Sequence, residues 1–170
     1  MTLKKGVEQL VAEANAEIET IPQDGAEALL DDPNVQIVDI RDVRELEREG
    51  MVPGAFHAPR GMLEFWVDPD SPYHKDVFTS GKKFVLYCQS AWRSALATKA
   101  LQDMGLAPIA HLEGGFRAWK EAGHPVAERP GRDDYPLWLG CFRVSETANL
   151  NFRRTVRRRA VSCSGLGDDQ

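Results

Sequence analysis

The 170-residue chain has few cysteines and no long hydrophobic segment, and both features restrict the classes of protein to which it can belong. The three cysteines, Cys88, Cys141 and Cys163, show no Cys-x-x-Cys spacing, which argues against a disulfide framework and against a cysteine-based zinc site. No apolar run approaches the ~18 residues that a transmembrane helix requires. The first residues lead into a segment rich in Glu and Ala rather than an apolar signal core, so we expect a cytoplasmic protein without a membrane partner.

Positive charge and metal-binding spacing are also scarce. The net charge is -5, which argues against general nucleic-acid binding, so no nucleic-acid partner is expected. The chain contains no Gly-x-x-x-x-Gly-Lys phosphate-binding loop, and no cofactor is expected. The histidines do not occur at metal-ligand spacing, so no metal site is predicted; they are His57, His74, His111 and His124.

Short apolar runs alternate with segments of helical periodicity along most of the chain. The runs that predict strands cover residues 35–40, 55–58, 84–87 and 109–112. The segments that predict helices cover residues 4–18, about 23–31, 43–49, about 62–66 and 95–104, followed by a helix after the Gly114-Gly115 turn. This alternation predicts a mostly parallel α/β sheet, in which ligands bind at the carboxyl ends of the strands.

The composition changes after about residue 127. Residues 128–134 have the polar, Pro- and Gly-containing composition of a linker, and the last 20 residues carry five arginines against two aspartates. We therefore predict an N-terminal amphipathic helix over 1–18, a central domain over 19–127 and a flexible C-terminal extension over 128–170.

The segment from Cys88 to Ser94 carries the strongest chemical signal in the sequence. Cys88 follows a predicted buried strand, and a helix begins a few residues later. A strand-to-helix turn of this kind points successive backbone N–H groups into one hollow at the positive end of the helix dipole, which stabilises a thiolate or an anionic substrate. Arg93 can donate a fork of hydrogen bonds to an oxyanion or brace the loop. The alternative is that Cys88 is a buried cysteine that packs as a small hydrophobic residue.

Four separate segments, in the same order, resemble motifs of the rhodanese family of sulfurtransferases. The resemblance runs over about residues 19–126 and includes an Asp-x-Arg at a strand end, a Pro-Gly-Ala turn, an active-site cysteine loop and a Gly-Gly turn before a Trp. The segments are Asp39–Asp42, Val52–Pro59, Tyr87–Ser94 and Leu112–Trp119.

This resemblance implies a rhodanese-like three-layer sandwich, with a mostly parallel sheet of about five strands and helices on both faces. It also implies a double-displacement reaction in which the Cys88 thiolate attacks the outer sulfur of a small anionic donor such as thiosulfate and releases sulfite. The persulfide on Cys88 then passes its outer sulfur to cyanide or to a thiol, including a thiol carried by a protein. Covalent catalysis of this kind divides one difficult transfer into two steps.

The resemblance also assigns roles to individual residues. Asp39 and Arg41 resemble a family feature that braces the site, so we expect them to support it structurally. His57 is expected to be a structural histidine, because an ionised thiolate needs no general base. Many relatives have a glycine at the position of Ala91 and a basic residue at that of Gln89, so thiosulfate need not be the best donor here. The residues expected to bind the donor are Gln89, Ser90, Ala91, Trp92 and Arg93 of the loop, together with Arg60, which follows the neighbouring predicted strand.

Two other functions compete with sulfur transfer. Related folds in phosphatases and arsenate reductases place Cys and Arg around a tetrahedral oxyanion, but such phosphatases have one residue more between the two than the four found here. A shorter loop makes a tighter cradle, which suits a single sulfur atom better than a phosphate. The second alternative is a non-catalytic, rhodanese-like binding or regulatory module; inactive modules commonly lack the cysteine, whereas Cys88 is present.

Overall fold

A five-stranded parallel sheet organises residues 3–129, the part of the chain that this computed structural model describes. Its spatial order is β1-β5-β4-β2-β3, so the strand that precedes Cys88 lies at the centre. The strands are β1 (Glu19–Ile21), β2 (Val35–Asp39), β3 (Phe56–His57), β4 (Lys83–Tyr87) and β5 (Ile109–Leu112).

Five α-helices and three short 3-10 helices connect these strands. The α-helices are α1 (Val7–Glu17), α2 (Val43–Glu49), α3 (Leu63–Val67), α4 (Trp92–Asp103) and α5 (Gly115–Glu121). The 3-10 helices cover Ala26–Leu30, Arg60–Met62 and Asp76–Thr79. None of the helices within residues 3–129 is long and apolar enough to cross a membrane.

The sheet separates two apolar layers, because successive side chains of a strand point to opposite faces. In β4, Phe84 and Leu86 pack in one cluster with residues of α3 and α4. Val85 and Tyr87 pack in the other, together with Phe116 of α5. The predicted three-layer α/β arrangement, with helices on both faces, is therefore confirmed.

The first helix packs on α4 rather than on the sheet. Val11, Ala14 and Ile18 form a third apolar cluster with Ala95. The amide of Gln102 donates to the carbonyl of Glu17 at 3.2 Å, so the carboxyl-terminal ends of the two helices lie together. Within the chain, Met1–Arg129 forms one compact unit that includes this helix.

Two elements differ from the sequence expectations. The strand β1 was not predicted, and the helix expected at about 23–31 is a 3-10 helix over Ala26–Leu30. The domain bounds stay a prediction; Arg129, two residues after the predicted end at 127, donates from its guanidinium to Glu47 at 2.9 Å. Nearly all of the predicted extension, residues 130–170, lies outside the described residues.

Candidate active site

Cys88 lies directly after β4, at the carboxyl edge of the sheet, and its side chain is buried. It belongs to the apolar cluster that also contains Ala58 and Leu63, which is the environment that the packing alternative describes. Its surroundings are nevertheless not only apolar. The electrostatic interaction with Cys88 is one of the causes that raise the pKa of Arg93, after the hydrogen bonds that Arg93 donates to Glu45. The Cys88 thiol thus packs among apolar side chains and also interacts with the Arg93 guanidinium.

The loop that follows Cys88 is held in place from below by the start of α5. The N–H of Phe116 donates to the carbonyl of Cys88 at 2.8 Å, and that of Arg117 donates to the carbonyl of Gln89 at 3.1 Å. A Cβ atom on Gly115 would contact the Cys88 carbonyl and would lie 2.9 Å from the Ala91 nitrogen. The Gly114-Gly115 turn therefore does more than reverse the chain, since it allows α5 to approach the loop backbone directly.

The loop turns into α4 through a left-handed residue. Ala91 has φ 66°, a conformation that is costly for a residue with a Cβ atom. Within residues 3–129, no protein group accepts a hydrogen bond from the backbone N–H groups of residues 90–93. These donors lie at the amino terminus of the 12-residue helix α4, where the dipole favours negative charge. The arrangement can therefore hold an anionic group beside Cys88.

Arg93 braces the loop against α2. Its two terminal nitrogens each donate to one oxygen of Glu45 at 2.8 Å, which forms a bidentate ion pair. Glu45 also accepts a hydrogen bond from the Asp42 backbone and so completes the capping box of α2. Hydrogen bonds from Arg93, together with the Asp42 backbone, lower the pKa of Glu45. Both terminal nitrogens of Arg93 are engaged within the protein, so its geometry favours bracing over direct oxyanion binding.

A second, fully buried ion pair lies beneath the loop. Arg41 donates to both carboxylate oxygens of Asp39, the closest contact being 2.7 Å, and neither side chain is exposed. Burial acts to lower the pKa of Arg41, but the hydrogen bonds and charge of Asp39 outweigh it, so the pKa lies above its ordinary value. The hydroxyl of Tyr87 donates to Asp39 and accepts from Val52. Burial, reinforced by the charge of Asp39, raises the pKa of Tyr87 well above its ordinary value.

Gln89 connects this buried pair to the protein surface. Its carbonyl oxygen accepts from Arg41 at 3.3 Å, and its amide nitrogen donates to Glu49 at 3.0 Å. Glu49 in turn accepts from Lys120 at 3.0 Å. Hydrogen bonds from Arg48, Lys120 and Gln89, in that order, lower the pKa of Glu49 to about 2. The Gln89 side chain is thus committed to contacts within the fold.

The remaining predicted site residues lie at the same edge of the sheet but differ in their contacts. His57 donates from Nε2 to the carbonyl of Arg41 at 2.9 Å, a structural contact. Arg60 pairs with Glu64 at 2.7 Å, and its backbone N–H donates to the carbonyl of Ile40. Ser90 is exposed, and 46% of the Trp92 surface is exposed at the start of α4.

Sequence reasoning missed the two acidic residues that hold the loop. The sequence predicts a helix over residues 43–49 without assigning a role to its charges, whereas Glu45 and Glu49 contact Arg93 and Gln89. The capping-box spacing of Asp42 and Glu45 gives the start of α2 but not its position relative to α4. Within residues 3–129 no cluster of three or more His, Cys, Asp or Glu side chains is arranged to hold a metal ion.

The protein is thus a parallel α/β protein with a cysteine at the carboxyl end of its central strand. The family model described as "Rhodanese-like domain" matches residues 22–122, which include every element of this site. The chain therefore belongs to the rhodanese-like family, as the four sequence motifs predict.

Two solved structures and one curated protein illustrate what this chain is similar to. A protein of unknown function and possible tyrosine phosphatase from Rhodopseudomonas palustris is 53% identical, with a TM-score of 0.73 over 75% of this chain and 98% of that one. A rhodanese-like domain protein from Staphylococcus aureus is 27% identical, with a TM-score of 0.51 over 65% of this chain and 100% of that one. An uncharacterized protein from Synechocystis sp. is 52% identical over 48 residues, which are 28% of this chain and 27% of the relative. The chain thus matches only about a quarter of the length of that curated relative.

Proposed function

We propose that this protein is a sulfurtransferase that carries sulfane sulfur as a persulfide on Cys88. The observation that carries the proposal is the position of Cys88 at the end of β4, before a loop whose N–H groups at residues 90–93 have no acceptor within the described residues. These donors, at the positive end of the α4 dipole, provide the positive potential that an anionic sulfur donor requires. Family membership supports the same reaction class.

The reaction begins with the Cys88 thiolate, which attacks the outer sulfur of a donor such as thiosulfate. A sulfur–sulfur bond forms at Cys88, the bond within the donor breaks, and sulfite leaves with the electron pair. In the second step, an acceptor thiolate or cyanide attacks the outer sulfur, and Cys88 leaves as the thiolate. The loop N–H groups at residues 90–93 hold the outer sulfur between these steps. Because Cys88 is fully buried, side chains around it must move before a donor sulfur can reach the thiolate.

Phosphatase activity is the second candidate, because the Rhodopseudomonas palustris relative is a possible tyrosine phosphatase. Four residues separate Cys88 from Arg93, which leaves one residue less than phosphatases of related fold use to surround phosphate. Glu45 also engages both terminal nitrogens of Arg93, the guanidinium that would have to bind phosphate oxygens. The loop therefore fits a sulfur atom better.

Turnover of thiosulfate and of an aryl phosphate by the purified chain separates these functions. We expect sulfur transfer to cyanide or to a small thiol, and no phosphate release. Cys88→Ser should abolish the transfer, whereas Cys141→Ser, which replaces a cysteine outside the predicted loop, should leave it unchanged. Phosphate release that depends on Cys88 would support the phosphatase instead, and transfer that persists in Cys88→Ser would exclude the proposed nucleophile.

A further inference from the structure

A chain of hydrogen bonds runs from β1 to the active-site loop through a buried histidine. His111 of β5 lies with Nε2 3.0 Å from Oγ1 of Thr20 and with Nδ1 3.4 Å from Oγ of Ser94. The hydroxyl of Ser94, in the first turn of α4, lies 3.0 Å from the carbonyl oxygen of Ala91. His111 is 2% exposed and Ser94 is fully buried, so solvent does not replace these partners.

The Ala91 carbonyl, at one end of the hydrogen-bond chain, determines which atom donates in each of its hydrogen bonds. A carbonyl can only accept, so Ser94 donates its hydroxyl proton to Ala91 and accepts at Oγ from Nδ1–H of His111. The other ring nitrogen of a neutral histidine accepts, and it does so from the hydroxyl of Thr20. Burial lowers the pKa of His111, which agrees with a neutral ring near pH 7.

Ala91 is the residue whose geometry depends most on such support. Its left-handed conformation is strained, and its carbonyl is held by Ser94 and by the N–H of Ala95 at 2.8 Å. In a planar trans peptide, the N–H of Trp92 points opposite to the Ala91 carbonyl. Since that carbonyl points into the first turn of α4, the Trp92 N–H points out of the helix end, toward the loop.

We propose that His111 is a positioning residue for the sulfur-transfer site. Through Ser94 it fixes the peptide between Ala91 and Trp92, and so it directs one of the N–H groups that hold the outer sulfur of the Cys88 persulfide. The effect on catalysis rests on the proposed function, whereas the hydrogen-bond chain itself does not.

The rate of persulfide formation from thiosulfate in single-turnover experiments measures the effect. His111→Leu removes the donor to Ser94 and should slow this step by about fivefold, the factor that corresponds to one neutral hydrogen bond. The side-chain amide of His111→Asn can replace Nδ1–H, so this variant should remain within about twofold of the wild type. Ile109→Ala, on the same face of β5, should lower the melting temperature but leave the rate unchanged.

A double variant tests whether His111 acts through Ser94. Ser94→Ala and His111→Leu interrupt the same chain, so the combined variant should react no more slowly than Ser94→Ala alone. Three results would each overturn the proposal. The first is a double-variant rate reduced by the product of the two single effects. The others are a His111→Leu rate equal to that of the wild type and a His111→Asn rate as low as that of His111→Leu.

The ¹⁵N chemical shifts of the His111 ring test the hydrogen-bond chain without any turnover. We expect the tautomer protonated at Nδ1, in the wild type and in Cys88→Ser. An Nε2-protonated ring would overturn the chain even if sulfur transfer is observed. A wild-type protein that forms no persulfide would instead overturn the proposed function, and its His111 tautomer would still report on the chain.

Discussion

At the scale of single residues, the loop after Cys88 is supported by charged side chains that are already paired and hydrogen-bonded within the fold. Arg41 is buried, yet its guanidinium reaches Asp39, the carbonyl of Gly50 and the side chain of Gln89. The central carbon of the guanidinium, Cζ, also lies 3.9 Å from the centre of the Phe116 ring. Burying a charge is costly unless it is paired and hydrogen-bonded, and these contacts meet that condition. Asp39 and Arg41 therefore act as a rigid base for the loop.

Arg93→Lys tests the bracing role at the same scale. A lysine keeps the charge but cannot form two parallel hydrogen bonds with Glu45, so we expect at least about a tenfold loss of thiosulfate turnover. The free energy of unfolding should fall by only about 1 kcal/mol, because 42% of the Arg93 side chain is exposed. Arg129→Lys is the matched control, since Arg129 donates one hydrogen bond to Glu47 on the same helix. Wild-type kinetics in Arg93→Lys would show that the paired geometry is dispensable.

At the scale of elements, the site forms where three of them meet. β4 ends at Cys88, α4 begins at Trp92, and α5 begins at Gly115 directly beneath the loop. Two hydrogen bonds from the first turn of α5 hold the loop carbonyls. The loop geometry is therefore determined by tertiary packing as much as by its own sequence.

Gly115→Ala tests this meeting of elements. The new Cβ would collide with the loop backbone at Cys88 and Ala91, in addition to the cost of a positive φ. Gly123→Ala is the control, because Gly123 also has a positive φ, 79°, but has no heavy atom within 4 Å of the new Cβ. We expect Gly123→Ala to cost about 1 kcal/mol and Gly115→Ala to cost about 1–2 kcal/mol more in urea unfolding. Equal losses would mean that α5 does not constrain the loop.

The elements that the sequence predicts well are those that are apolar and continuous. β4 was predicted because Phe84 to Tyr87 form an uninterrupted apolar run, and β2 because the β-branched residues Val35, Ile37 and Val38 lie within four positions of one another. β1 was missed because its three residues, Glu19 to Ile21, include two exposed ones and pair only with β5 at the sheet edge. Such a strand has neither the length nor the alternation from which a strand can be predicted.

Without the family resemblance, the candidate site was predictable only where its residues are close in sequence. Cys88 and the loop follow a strand directly, so their position at the carboxyl edge of the sheet could be inferred from the strand alone. The contacts of Glu45, Glu49 and His111 with this loop depend on how separate elements pack, and no local pattern encodes that packing. Sequence reasoning therefore located Cys88 and its loop and, through the family resemblance, the supports Asp39 and Arg41, but it did not find Glu45, Glu49 or His111.

At the scale of the whole molecule, the carboxyl-terminal end of the described domain contacts the segment that connects α2 to β3. Met51 and Ala127 form an antiparallel bridge, with hydrogen bonds of 2.8 and 2.9 Å. A Cβ on Gly50 would lie 2.7 Å from the Ala127 carbonyl, so the two segments are in close contact. The compact unit ends two residues later, at Arg129.

Truncation after Arg129 tests whether residues 1–129 are sufficient for folding and for sulfur transfer. Residues 3–129 contain all five strands of the sheet and every residue of the proposed site, so sulfur transfer should be nearly unchanged. The melting temperature should change by no more than about 3 °C. Truncation after Pro125 removes the bridge with Met51 and should lower it further. An insoluble or inactive 1–129 chain would show that residues 130–170 are required for the fold or for the site.

The mass of the protein after exposure to thiosulfate tests the central claim most directly. The account predicts the addition of one sulfur atom, located on the peptide that contains Cys88 and removed by cyanide or a small thiol. The addition should be absent in Cys88→Ser and present in the Cys141→Ser and Cys163→Ser variants. No added sulfur in the folded wild-type protein, with thiosulfate or with a persulfide donor, or a sulfur found on another cysteine, would contradict the account.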